Sequence, residues 1–200
     1  VGYTRTKEQL TVAPAIEPVS VGEAAYACRI FGHDEDAWLA TEITSARKRL
    51  EKLCWSSFIT QTWDFWWDRF WWKMFIPYGP IYPRNSVSAV SVFEYRISVG
   101  PWPWTPVPST IWELSEEREL PFARLQYLQT WPITRGYRDD IHIQVQLGYG
   151  PNPSDVPEPI REMILLMVAN RYMNRGDVAG DLPIPERAWN LVTDYRFKEF

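Results

Sequence analysis

Apolar positions recur at two different periods along this chain, and the switch between them divides it. Leu39, Ile43, Ala46, Leu50 and Leu53 fall three and four residues apart, which makes one stripe of an amphipathic helix. Glu42, Arg47, Arg49 and Lys52 take the opposite face, so a long helix is predicted with those four side chains toward water. Ahead of it, Glu23 follows Ser20 by three residues, the spacing of a capping box. A short helix is predicted from there to about Phe31, with Gly32 ending it. Asp34 and Asp36 favour the start of the long helix through their charge and side-chain oxygens. Residues 1–17 show no period and contain Pro14, and they read as an extended arm of the kind a neighbour orders.

At Trp55 the helical period stops. From Phe58 to Trp72 the residues are β-branched or aromatic, which favours strand. Alternation places Trp63, Phe65, Trp67 and Trp71 on one face. The other face carries Asp64, Trp66, Asp68, Phe70 and Trp72, a mixture of charge and large rings. Further strands are predicted over Val87 to Tyr95, Thr110 to Leu114, Arg124 to Gln129 and Ile141 to Leu147. The last alternates most cleanly, with Ile141, Ile143, Val145 and Leu147 against His142, Gln144 and Gln146. Prolines 77, 80, 83, 101, 103, 106 and 108 fall between strands and punctuate loops, including a Pro- and Trp-rich loop over 100–108.

The helical period returns after Gly150. Asp155 and Glu158 form a second capping pair, with Pro157 in the first turn. The helix that follows should bury Ile160, Met163, Ile164, Met167 and Val168 and end at Gly176. The Met and Leu run at 163–168 is core packing, not a ligand pocket. A last helix starts near Pro185, with Ala188, Trp189, Leu191, Val192 and Tyr195 as its stripe. The order helix–helix, strands, helix–helix predicts an α+β fold. A small helical bundle forms from both chain ends, 18–57 plus 151–200, and 58–150 is an inserted antiparallel β-rich region.

Composition narrows the function. The charged fraction is 23% and the net charge is -4, without the clustered basic excess of a protein that grips duplex DNA. Trp at 12 and Pro at 17 in 200 residues are both high. Associating proteins use Trp and Tyr as anchors, and a Trp-heavy core is the other reading. Cys28 and Cys54 belong to consecutive predicted helices and read as free, buried thiols. No apolar run is long enough to span a bilayer and no signal-peptide pattern is present, so neither membrane insertion nor ordinary secretion is expected.

Catalytic and metal chemistry find little support. His33 to Asp36 is the single local ligand-like cluster, and helix-capping acids beside a turn account for it. There is no Gly-x-Ser-x-Gly elbow, and both cysteines lie within predicted helices. Gly148, Tyr149 and Gly150 lack the Lys and Ser/Thr of a phosphate loop. The pairs Glu116–Glu117 and Asp139–Asp140 read as solvated turns. His142 belongs to the polar side of its strand. No catalytic residue, metal site or cofactor is expected.

An ordered series of short matches resembles the head–tail connector (adaptor) family of long-tailed phages. It begins with Glu17 to Ser20, then Asp34 to Leu39 continued through Ala46 and Arg47 to Glu51. It goes on with Phe58 to Trp63 and Asp68 to Phe70. Tyr149 and Gly150, Asp155 to Glu158, Ile160, Tyr172, and Tyr195 with Arg196 complete it. The series spans about residues 12–197. The chain departs from the family in its Trp-rich strand and in the 100–108 loop.

The resemblance implies a structural virion protein, not an enzyme, made in the host cytoplasm and placed at the head–tail junction of a phage or gene transfer particle. Its implied partners are further copies of itself in a ring, commonly of twelve, the portal above, and a neck, stopper or tail protein below. DNA would pass through the lumen without sequence-specific binding. Trp66, Trp72, Trp102 and Trp104 are candidate subunit or partner contacts, or else an aromatic cluster closing the insertion on itself. Arg171 and Arg175 are candidates for facing channel DNA or a neighbouring acidic surface, or else belong to a plain solvated helix face. Arg196, Phe197 and Phe200, with Lys198, form a short amphipathic tail expected to dock on the portal or an adjacent subunit. The competing readings are a carbohydrate-binding β-module with an aromatic platform and, last, a small enzyme.

Overall fold

The computed structural model describes residues 5–84, 86–97, 103–115, 122–126, 128–175 and 184–196. Strand β1 (Lys7–Val12) leads into helices α1 (Val21–Cys28) and α2 (Asp36–Cys54). The β region follows with β2 (Gln61–Trp67), β3 (Lys73–Phe75), β4 (Val90–Arg96), β5 (Trp104–Pro106), β6 (Trp112–Ser115), β7 (Phe122–Leu125) and β8 (Ile141–Leu147). Helices α3 (Glu158–Met173) and α4 (Glu186–Tyr195) close the chain. The fold is α+β, with a helical bundle drawn from both chain ends and antiparallel sheets between them.

The bundle forms because each helix has one apolar stripe and nothing else to bury it against. Leu39, Ile43, Ala46 and Leu50 of α2 meet Ile160, Met163, Ile164, Met167 and Val168 of α3 in one buried cluster, joined by Ala188 and Val192 of α4. Fully burying a Leu, Ile, Met or Val side chain contributes about 1.5–3 kcal/mol. The capping box of α1 is present. Ser20 Oγ accepts the Glu23 N–H at 3.2 Å, and the Glu23 carboxylate accepts the Ser20 N–H at 2.7 Å. Asp155 behaves differently from the expectation. It accepts the Asn152 N–H at 2.8 Å and caps a single 3-10 turn, while α3 starts on Pro157 with no side-chain cap. The stop expected at Gly176 lies outside the described residues, and α3 ends at Met173 with Asn174 as its cap. Helix α1 ends earlier than Gly32, on Arg29 in a left-handed conformation.

The β region forms two antiparallel sheets where one was expected, a five-stranded sheet in the order β1-β2-β8-β4-β5 and a three-stranded one in the order β3-β7-β6. Their inner faces share a second core of Phe65, Trp67, Met74, Phe93, Trp112, Ile141, Ile143 and Val145. The alternation read in β8 is the observed one. The strand opening the β region stops at Trp67, so the alternation predicted beyond it fails. Phe70 turns back and stacks on Trp131 against that core, with ring centroids 4.7 Å apart. The N-terminal arm is extended, and its own chain holds it: β1 pairs with β2, and Tyr78 donates to Glu8 at 3.0 Å.

The two cores meet where β2 begins and β8 ends. Thr60 N–H donates to the Gly150 carbonyl at 3.1 Å and Tyr149 N–H to the Phe58 carbonyl at 3.2 Å. Gly148 has φ +135, and a Cβ there would lie 2.7 Å from the backbone of Ile59 and Thr60. Only glycine satisfies both the conformation and the approach.

Candidate interaction surfaces

The outer face of the five-stranded sheet carries the mixed charge and rings expected of it, arranged in rows by the strand register. Lys7, Trp66, His142 and Glu94 are successive partners across β1, β2, β8 and β4. The Trp66 ring stacks on His142 at 4.8 Å between centroids and an 11° interplanar angle, and the Lys7 ammonium lies 4.3 Å from its centroid. His142 Nε2 is 2.7 Å from Asp64 Oδ1 and Nδ1 is 2.8 Å from Glu94 Oε1. Asp64 is buried on this face, and it also accepts from Gln144 at 3.0 Å and from Thr11. Both nitrogens of the imidazole are engaged by carboxylates of its own chain, so His142 has no ring position left for a substrate. The pairing knits four strands together instead.

Trp104 pairs with Arg96 at the sheet edge, with the guanidinium 4.4 Å from the ring centroid. Trp72 stands in the loop after β2 and is 72% exposed. Trp66 and Trp104 are therefore partly covered by their own chain, and of the Trp candidates Trp72 is the most open among the described residues. Trp102, Phe197 and Phe200 lie outside the described residues. Arg196 caps the end of α4 and is exposed. Trp189, expected within the buried stripe of α4, is 47% exposed.

Arg171 and Arg175 both engage acids brought to them by α2 and the turn before it. Arg171 donates to Glu42 at 2.8 Å and to Ser45 at 3.0 Å. Arg175 forms a two-pronged pair with Glu35 at 2.9 and 2.8 Å, and its guanidinium lies 3.8 Å from the Trp38 ring centroid. That pair holds the Glu35 carboxyl below its ordinary range. Tyr26 and Phe31, near the same end of the bundle, are almost fully exposed.

Arg47 departs from the water-facing position its spacing suggested. It is buried between Glu17, which it meets at 2.6 Å, and Glu51 at 2.7 Å. Glu51 in turn accepts the Phe58 N–H at 2.9 Å and Gln61 Nε2 at 3.0 Å. Burial pushes the Glu51 carboxyl up, against the opposing pull of Arg47 and the Phe58 N–H. This cluster joins the arm, α2 and the start of β2.

With this geometry in view, the chain is similar to solved structures over nearly its whole length. A chain of the neck of an empty gene transfer agent particle computed with C6 symmetry matches with a TM-score of 0.77 at 20% identity, covering 98% of this chain and 97% of that one. This fold occurs in a particle neck. A chain of the virion of the native gene transfer agent particle matches with a TM-score of 0.74 at 20% identity over 98% and 97%. A chain of the neck of the native particle computed with C12 symmetry gives 0.65 at 19% identity over 96% and 97%. No protein-family model and no curated protein matches. The neck-type fold thus agrees with the resemblance carried by the ordered series of sequence matches.

Among the described residues no three His, Cys, Asp or Glu side chains are grouped to hold a metal ion, and no helix is long and apolar enough to cross a membrane. The row Lys7–Trp66–His142–Glu94 escaped the sequence reading because its members come from four strands. The signals in the sequence were that His142 belongs to the polar side of β8 and that Asp64 and Trp66 share the mixed face of the strand opening the β region.

Proposed function

We propose that this chain is a structural protein of a phage-like particle, placed at the neck, and that it acts there as a head–tail adaptor. Copies stand side by side in a ring around the DNA channel, twelve in number, with the portal on one side and a neck, stopper or tail protein on the other. The DNA passes through without sequence-specific contact, in keeping with a net charge of -4. The observation that carries this reading is the whole-chain likeness, at a TM-score of 0.77, to a chain from a solved particle neck. Neck structures computed with C6 and C12 symmetry favour the ring. Closed rings are built from a heterologous contact repeated around an axis.

Against the carbohydrate-binding reading, Trp66 lies between Lys7 and His142 in the register and Trp104 carries Arg96, so these two rings do not offer an open aromatic platform. Mass spectrometry of purified particles, followed by electron cryomicroscopy of their necks, tests the proposal. The expected result is this chain at the neck in a twelve-fold ring. Its absence from purified particles, or a location away from the neck, would sink the reading.

A further inference from the structure

At the end of the β region far from the bundle, two of the described loops, 68–72 and 128–139, are tied to one another. Trp131 Nε1–H donates to the Trp71 carbonyl at 2.8 Å, and the Asp139 N–H donates to the Asp68 carboxylate at 3.0 Å. Large apolar side chains stand out from both loops: Trp72, Leu128 at 84% exposure, Ile133 at 80% and Tyr137 at 67%. Between the loops lies a cleft of about 420 Å³ lined by Asp68, Arg69, Gly136, Tyr137 and Arg138.

Arg69 and Arg138 form no ion pair with any described residue. That sets them apart from Arg161, Arg171 and Arg175, each matched to a carboxylate. Asp68, the acid in the cleft wall, is already occupied by the Asp139 N–H, and Arg69 leans on the Trp71 ring at 5.3 Å from its centroid. The lining therefore carries one positive charge in excess.

We propose that this cleft docks a segment of another particle protein that inserts an Asp or Glu carboxylate flanked by apolar side chains. A guanidinium fork matches a carboxylate in two parallel hydrogen bonds. Arginine beside exposed Trp and Tyr is the composition of interface anchors. Large apolar side chains exposed on the two loops that wall the cleft favour a protein contact. A DNA backbone offers phosphates and no apolar matter for Trp72, Leu128 and Ile133, which favours a protein occupant. The inference rests on the neck reading, which says where the partner is to be found.

The test passes the labelled full chain over an array of short overlapping peptides spanning every protein of the purified particle, with duplex DNA as a separate probe. Binding is expected to peptides of another protein that carry Asp or Glu beside apolar residues. Exchanging that acid for Asn or Gln weakens it at least tenfold, which corresponds to about 1.4 kcal/mol. The double variant R69A/R138A weakens it equally and melts at the same temperature as the parent chain, since both side chains are exposed. No binding, binding that survives loss of both arginines, or preference for acid-free peptides, the chain's own peptides or DNA would overturn the inference. With the chain found in particles, those results leave the neck reading standing. Absence of the chain from particles overturns both.

Discussion

Arg47 holds three parts of the chain at one point, and its removal shows how much of the fold hangs on a single charge. Its guanidinium is the only cation that the Glu51 carboxylate meets in the described ion pairs, while Phe58 N–H and Gln61 fill that carboxylate's other oxygen. Arg47→Leu leaves the buried carboxylate without its cation, and a loss of about 3–5 kcal/mol is expected in denaturant unfolding at neutral pH. Because burial already raises the Glu51 pKa above its unfolded value, the neutral form is the one the fold favours. Stability from this group is present below the unfolded pKa and fades as pH rises through the folded one. The deficit of Arg47→Leu should therefore shrink as pH is lowered. A deficit that stays constant from pH 7 to pH 4 would show that Glu51 does not feel the burial.

Gly148 gives a second residue-scale prediction. Gly148→Ala places a methyl group 2.7 Å from the Ile59 and Thr60 backbone at φ +135, and a loss of about 1–3 kcal/mol or more, read as a lowered melting temperature, is expected.

Among the elements, α1 owes its start to Ser20 and Glu23. Ser20→Ala removes the acceptor for the Glu23 N–H and should cost about 1 kcal/mol. Glu23 is held below its ordinary pKa, first by the Ser20 backbone N–H, then by the Ser20 hydroxyl and by Arg161. A lowered carboxyl pKa contributes stability above the unfolded value and loses it as pH falls through the folded one. Glu23→Gln should therefore cost stability at pH 7 and little at pH 3, as followed by thermal melts at the two values. The strands differ from the helices in where their order comes from. β8 sits at the centre of its sheet with both neighbours bonded, and its clean alternation follows from having one face on the core. β1, β3 and β5 are edge strands, two of them only three residues long, and their order comes from a partner already in place.

Taken as a whole, the molecule seals both of its thiols. Cys54 lies in the bundle core, where burial pushes its pKa up to about 12, and burial raises Cys28 as well. Thiolate is the reactive form, so neither should react with a disulfide reagent in the native protein at pH 8, and both should react once it is unfolded. Rapid modification of Cys54 in the folded state would show that the bundle opens without global unfolding. The helices, the apolar faces they bury and the β8 strand were legible in the order of residues, because burial on one side imposes a period that survives in a linear text. The pairing of the arm with β2, the second sheet, the burial of Arg47 and the turn-back of Phe70 were not. Each depends on groups far apart in the chain, Glu17 with Arg47 or Phe70 with Trp131, and such meetings leave no local trace. By itself the sequence determined the four helices, the strand β8 and most of the apolar faces they bury, while β1, β3 and β5 were not read from it. The tertiary structure alone decided which charges find partners and which, like Arg69 and Arg138, meet no ion-pair partner among the described residues, because Coulomb attraction and ring stacking act across distances in space that chain position does not encode.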